Sequence, residues 1–399
     1  MDGAARLRVP FMLSDRDHVR LPAARSRRSL PAVLLVLCCL TEPLLAQGAR
    51  AQPFTRGRPL AEWVLQTEHY IPELRREAVK AIAALGPGAV SAVPALVRAT
   101  RDENAEVRFW AVEGLRKIGP AAAKEGGAAL AVVLGDDIRS NQQAARRALE
   151  AMGPAVLPVL LPSLESPDAW VRGNAAEAVG AVAGGKGAAV SALSRLLADD
   201  SLWVRASAAW AIGRIGPRAK SAAKPMTKAL SEELRRDPTL AEVGQRLRVE
   251  NLVYGLGRLG PAANDAVPLL LAVLYDGADS LRTTAAEALA GVGGKAAQPL
   301  GQAVRGPAPM PVRLGAARAL RLMGPEGKKA VGDLVKLLET TDELEGGREL
   351  VIASADALGA MGKSARSALK VLEKQRKRSV TPDVVAALDR AIRKIRLGA

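Results

Sequence analysis

The chain has 399 residues, with 57 Lys and Arg against 41 Asp and Glu and a formal net charge of +16. Aromatic residues make up only 3% of it, and it has two cysteines and two histidines. His18, Cys38 and Cys39 all fall near the N-terminus and leave His69 alone in the rest of the chain, which excludes Cys/His zinc sites and Ser–His–Asp or Cys–His catalysis there.

Residues 1–51 read as an export signal. Arg25, Arg27 and Arg28 precede an apolar run from Ala32 to Leu40, then Glu42-Pro43, and Ala49-Arg50-Ala51 fits a small-x-small cleavage site. The run is short of the roughly 20 residues of a comfortable membrane span. An uncleaved N-terminal anchor is the alternative, and Met12 is an alternative start. Leu37 before Cys38 and Cys39 does not suit a lipoprotein site. The expected location is periplasmic or secreted, and the remaining chain, with no cysteine, keeps a formal charge of about +12.

Residues 52–72 form a linker or cap. His69, between Glu68 and Tyr70, reads as a surface histidine rather than a ligand. From 73 to 378 one pattern recurs. A Gly followed by Pro, Gly or Lys marks its end at Gly86, Gly119, Gly153, Gly184, Gly216, Gly260, Gly293, Gly324 and Gly362, a mean period of about 34 to 35 residues. Val107, Ala111, Leu115 and Ile118 fall on one helical face, as do Val171, Ala175, Val179 and Val182, then Val204, Ala208, Ile212 and Ile215, and Val312, Ala316, Leu320 and Met323. Gly in a left-handed C′ conformation and the Pro after it end each helix. Second helices are expected at Ala89–Ala99, Pro154–Leu164, Ala188–Leu197, Ala262–Leu274 and Ala330–Leu338. No strand alternation or Asn-Gly hairpin signal competes.

Asp102 or Asn104, Asp168, Asp200 and Asp279 stand where helix N-caps are needed. Arg108, Arg172, Arg205, Arg282 and Arg313 share one position of the repeat, so stacking predicts a ladder in which each bridges the capping Asp of its own or a neighbouring copy, with Asp168 and Asp200 among its carboxylates. Asn141 and Arg248 replace the expected Val, so their helices are expected to enter the stack differently. The long interval before Gly260 carries an insertion around Ser231 to Gln245, either a binding lobe or a longer loop. Residues 379–399 close the array with a helix from Thr381 to Leu397, capped by Thr381, started by Pro382 and striped by Val385, Leu388, Ile392 and Ile395.

The text Val204-Arg205, Ala208-Ala209, Ala211-Ile212 and Ile215-Gly216-Pro217 resembles HEAT repeats of the short bacterial type also seen in phycobilisome-lyase-like proteins. The resemblance covers roughly residues 70 to 375 and implies an all-α, right-handed α-solenoid of about nine helical hairpins. It also implies a protein-binding array whose second helices line the concave side. The iron-holding His-Glu pairs of the related deoxyhypusine hydroxylases are absent, and bilin lyase activity conflicts with the export signal, so no enzymatic activity, metal or cofactor is expected.

Other motifs are structural. Asp136-Asp137, Asp199-Asp200 and Glu232-Glu233 point their neighbours in different directions, and the glycines of 183–187 and 293–294 lack the spacing and preceding strand of a phosphate loop. Trp170 and Trp203 each precede a Val-Arg pair and are read as inter-repeat packing, with an exposed partner anchor as the alternative; Trp110 and Trp210 lie inside first helices. The function expected is a non-catalytic scaffold of the cell envelope whose concave face holds a partner protein through Arg98, Arg195, Lys224, Lys228, Arg305, Lys336 and Lys370. The alternative is a binder of a polyanion or anionic membrane surface through the basic C-terminus, from Lys370, Lys374 and Arg376 to Arg393, Lys394 and Arg396. Scarce aromatic residues and export argue against nucleic acid.

Overall fold

The computed structural model describes residues 54–236, 242–341 and 347–398; the expected export segment lies outside them. The described residues fall in one compact unit spanning Pro53–Ala399. It opens with a hairpin of β1 (Phe54–Thr55) and β2 (Arg58–Pro59), paired antiparallel. Sequence gave no warning of it, because its turn is made by Arg56 and Gly57, both at positive φ, rather than by Asn-Gly. The hairpin serves as an end cap: the buried Trp63 ring donates its Nε1–H to the Thr55 carbonyl at 3.1 Å.

The helices that follow are α1 (Leu60–Gln66), α2 (Pro72–Ala84), α3 (Val93–Ala99), α4 (Ala105–Ile118), α5 (Ala123–Val133), α6 (Arg139–Met152) and α7 (Leu157–Ser163). Then come α8 (Ala169–Val182), α9 (Gly187–Leu196), α10 (Leu202–Ile215), α11 (Ala223–Arg236), α12 (Val243–Leu259), α13 (Val267–Asp276) and α14 (Asp279–Val292). The chain ends with α15 (Ala297–Arg305), α16 (Met310–Met323), α17 (Val331–Thr340), α18 (Arg348–Ala360), α19 (Leu369–Arg378) and α20 (Pro382–Leu397). From α2 to α19 they pair as nine helical hairpins among the described residues, and α20 closes the stack. The fold is the all-α solenoid that the repeat predicts.

The expected apolar stripes form the seam. Val107, Ala111, Leu115 and Ile118 are buried, as are Val204, Ala208 and Ile212, and Val312, Ala316, Leu320 and Met323. Only Val171 and Ile215 of the four stripes are half-exposed. The C-terminal stripe is displaced by one residue, since Val384 rather than Val385 joins Leu388, Ile392 and Ile395 in the core.

The interior of each hairpin departs from expectation at its turn. Gly119, Gly216 and Gly260 have φ near 70° with ψ near −143°, a region open essentially to glycine, and not the left-handed cap that the Gly-Pro pair suggested. A 3₁₀ turn follows with Pro in its first turn, as over Gly86–Ala92 and Gly260–Ala266. It takes residues from the expected second helices, whose α-helical part begins at Val93 rather than Ala89 and at Val267 rather than Ala262.

Capping is likewise selective. Asn104 Oδ1 accepts from the N–H groups of Glu106 and Val107, and Asp168 Oδ1 accepts from Trp170 N–H. Asp200 and Asp279 do not cap: Ser201 holds the N-cap of α10, and Asp279 is already the first residue of α14. Thr381 holds the N-cap place of α20 with no side-chain cap bond.

The two substituted Val positions do not expel their helices. Asn141, 1% exposed, donates to the Ala105 carbonyl and to Asp136, and Arg248 bonds Glu233. Burying a polar group in the seam is tolerable when its partners are buried with it. The insertion is in part an extension of α11 to Arg236, with α12 beginning at Val243.

Every even-numbered helix packs on the next from α2 to α20. These helices approach to backbone contact where small residues meet: a Cβ on Gly180 would lie 2.7 Å from Ala211 Cα, and one on Gly257 2.5 Å from Ala288 Cα. Packing between consecutive odd-numbered helices is substantial for α3, α5 and α7 and again for α15, α17 and α19; α9 meets the next repeat through the 3₁₀ turn Gly216–Ala222, and packing is weak from α7 to α9 and from α13 to α15. The close spacing therefore lies among the Val-Arg helices. The second helices, expected on the inner side, are the more sparsely packed row.

Candidate partner-binding surfaces and the arginine ladder

The ladder exists, with different rungs from those expected. Arg108 Nε and Nη2 grip Asp136 at 2.6 and 3.0 Å, and Arg172 grips Asp199 at 2.7 and 2.8 Å, each a bidentate bond to the next repeat. In both, Nη1 turns back to carbonyls of its own inter-repeat loop, at Asp102 and at Ser166. A further rung that the Val-Arg rule missed joins Arg75, after Leu74 rather than Val, to Asp102 at 2.7 and 2.8 Å. Each pair spans 27 or 28 residues. Arg108 and Arg172 are accordingly raised above their ordinary range, first by these hydrogen bonds. Burial works against ionisation of Asp136 and Asp199, but the arginines and the N–H groups of Ile138 and Ser201 outweigh it and hold both carboxyls below the usual range.

Three arginines of the expected ladder find no such Asp. Arg205 faces Glu233, at 3.5 Å, and its own-loop carbonyls at Asp199 and Asp200. Arg282 pairs with Asp279 of its own helix, and Arg313 donates to the Val304 carbonyl at 2.8 Å. No acidic residue occupies the corresponding place 27 or 28 residues beyond either of the last two. Asp168 and Asp200 are not ladder carboxylates. The residue 26 before Asp168, where its arginine would stand, is Gln142, and the rung in the Asp199-Asp200 pair is Asp199.

The expected contact cations all lie on second helices, but several are engaged between repeats. Arg98 pairs with Glu68 at 2.8 Å, Arg195 with Glu165 at 2.9 Å and Arg305 with Asp333 at 2.9 Å. Lys228 lies 3.8 Å from Glu232 and shares a shallow groove with Lys224, while Lys336 and Lys370 are exposed. At the C-terminus Arg376, Arg390 and Arg396 pair with Asp389, Asp356 and Glu373. The structure does not gather these cations into one site.

Aromatic residues are gathered instead, on the outward stripe of the even-numbered helices. Trp170, Trp203 and Leu247 occupy one position of three successive repeats; Trp170 is 52% and Leu247 51% exposed. The indoles of Trp170 and Trp203 touch, with centroids 4.9 Å apart. Seven residues further along their helices stand Trp210 and Tyr254, with Arg214 4.8 Å above the Trp210 ring. Toward the N-terminal end, Phe109 and Trp110 meet edge to face and border a cleft of about 770 Å³ with Arg147 and Glu150. Lys80 lies 5.0 Å from the Trp110 ring centroid. The Trp170–Trp203 pair was legible in the repeat, with a partner anchor as its alternative reading; what the sequence did not show was its continuation to Leu247, Trp210 and Tyr254.

Among the described residues no helix is long and apolar enough to cross a membrane, and no group of three or more His, Cys, Asp or Glu side chains is placed to hold a metal ion.

The model for HEAT repeats matches residues 59–150, 127–213 and 157–241. No curated protein matches the chain by sequence. Among solved structures it is similar to importin beta crystallised in a polyethylene glycol condition, with 14% identity over 84% of this chain and 54% of that one and a TM-score of 0.57. It is also similar to Kap95p, in a structure described as inducing the switch loops of RanGDP to adopt the GTP-bound conformation, with 15% identity over 85% and 52% and a TM-score of 0.50. An engineered protein is 23% identical over 84% and 98%, with a TM-score of 0.43. The chain spans about half the length of the importin beta and Kap95p chains, and these likenesses speak for the fold. Three overlapping matches make residues 59–241 an array of HEAT repeats, and the same two-helix period runs on to α19.

Proposed function

We propose that this protein is a non-catalytic scaffold of the cell envelope that holds a partner protein on the outward stripe of its even-numbered helices. The observation that carries this reading is the apolar run of Trp170, Trp203 and Leu247 with Trp210 and Tyr254 beside it. Exposed aromatics in register across repeats supply large rigid contact area with little side-chain entropy to lose, and Trp, Tyr and Arg dominate interface hot spots. The second-helix cations support it less well, because ion pairs between repeats already engage Arg98, Arg195 and Arg305. Location in the envelope is supported by the basic flank, apolar run and small-residue site of residues 1–51. A polyanion-binding role for the C-terminus is weakened in the same way by the three arginine pairs there.

Crosslinking and affinity capture from the native envelope test the reading. A defined protein is expected with the wild-type chain and at least tenfold less of it with Trp170→Ala/Leu247→Ser, a change at exposed side chains that leaves the fold intact. Equal recovery with both would overturn the choice of face. Capture that survives this variant but collapses with salt would favour the basic C-terminus.

A further inference from the structure

At the junction of α10, α11 and α12 the ladder loses its charge balance. The guanidinium of Arg205 (side chain 12% exposed) and that of Arg248 (5%) are buried with a single carboxylate, Glu233 (6%), between them. Arg236, more exposed, lies 3.6 Å from the same carboxylate. Glu233 is drawn to the newcomer: Arg248 Nε and Nη2 each lie 3.1 Å from its Oε2. Arg205 Nε is left 3.5 Å from Oε1 without a hydrogen bond.

The consequence is a vacated fork. In Arg75, Arg108 and Arg172 the Nε–Nη2 edge holds an Asp carboxylate bidentately. In Arg205 the same two nitrogens are buried without a hydrogen bond, only Nε keeping a loose ion pair with Glu233, and Arg248 Nη1 is a third donor without one. Burial pushes Arg205 below its ordinary range, while Glu233 pulls the other way. Together with Glu232 at its rim these side chains line a partly enclosed pocket of about 100 Å³, walled on its apolar side by Leu197, Ala229 and Leu252. An uncompensated buried charge and orphaned charged donors are each costly. A planar carboxylate is the group that this edge accepts in the other repeats.

We propose that the pocket binds one small carboxylate, held by the Nε–Nη2 edge of Arg205, and that the second buried arginine, Arg248, creates the need for it by taking Glu233 away. The group is a free small anion or the terminal carboxylate of a bound chain. A pocket this size admits formate or acetate, and Glu233 limits affinity by repulsion.

Equilibrium dialysis of the full chain against labelled formate and acetate at constant ionic strength tests the proposal. Saturable binding of about one carboxylate per chain is expected. Arg248→Met should abolish it, because Glu233 then closes on Arg205, which leaves one buried cation with one buried carboxylate and strands neither. Glu233→Gln should bind about tenfold tighter, since it removes a like charge from the pocket. A short peptide with a free C-terminus that competes, while its amide does not, would place the carboxylate on a partner chain; failure of both to compete would place it on a free ion. No saturable binding to the wild type, undiminished binding to Arg248→Met, or weaker binding to Glu233→Gln would each overturn the proposal. Because the wild type is itself assayed, a variant that fails to fold leaves a deciding measurement in hand.

Discussion

Trp203 lies over Gly173 so closely that a Cβ on that glycine would fall 1.9 Å from the indole Cζ3. A ring carbon cannot yield as the end of a flexible chain can, so the glycine is what seats Trp203 against Trp170 across two repeats. Gly173→Ala is expected to displace the indole and cost about 1–3 kcal/mol of stability. Tryptophan fluorescence should shift to the red, and urea unfolding should report the loss; an unchanged spectrum would mean that the ring has another resting place.

The rungs differ in worth. Arg172→Met strands the carboxylate of Asp199, whose side chain is 8% exposed, and is expected to cost about 3 kcal/mol. Arg282→Met loses an ion pair with Asp279, whose side chain is 92% exposed, and one bond to the Gly277 carbonyl, and is expected to cost only about 1 kcal/mol. Urea denaturation of the two variants side by side checks the order.

Acid should attack the same bonds. Asp136 and Asp199 titrate below the ordinary carboxylate value in the folded chain, so the unfolded chain binds more protons as the pH falls. Their contribution is full above about pH 5 and is lost as the pH drops through the depressed folded values. In Arg172→Met burial, which favours the neutral form of Asp199, is opposed only by the Ser201 N–H bond and the charge of Arg205. The stability gap between wild type and Arg172→Met should therefore narrow from pH 6 to pH 3, as urea midpoints across that range would show.

Two glycines should answer in opposite senses. Gly119→Ala forces a side chain into φ 74°, ψ −142° and is expected to cost about 1–3 kcal/mol, although nothing crowds its Cβ. Gly332 sits inside α17 with open space around its Cβ, and Gly332→Ala is expected to add about 0.5–1 kcal/mol. Thermal unfolding of both variants distinguishes backbone strain from packing.

The helix pairs, their apolar seams and the closing helix were legible because a period of 3.6 inside a period near 34 leaves few alternatives. Register at the turns was not, because Gly-Pro marks the end of one helix without saying whether a 3₁₀ turn or an α-helix follows. The ladder was legible in kind but not in partner. Whether Arg205 meets Asp200 or Glu233 depends on which residue of the next repeat the stack brings beneath it. Arg248 reads as a defect in the Val pattern; its competition with Arg205 appears only when both are placed beside Glu233. The stripe was legible only in part: Trp170 and Trp203 share the place before Val-Arg, but Leu247 precedes Arg248, where the Val marker is missing, and so was not joined to them.

The glycine and alanine contacts between even-numbered helices also decide how the rod can deform. Where backbone already touches backbone, as at Gly257 and Ala288, that edge can neither shorten nor slide without a clash. Flexing is therefore expected on the opposite edge, at the sparsely packed steps from α7 to α9 and from α13 to α15. Anything gripped along the taut edge keeps its footholds at fixed spacing while the molecule breathes behind it.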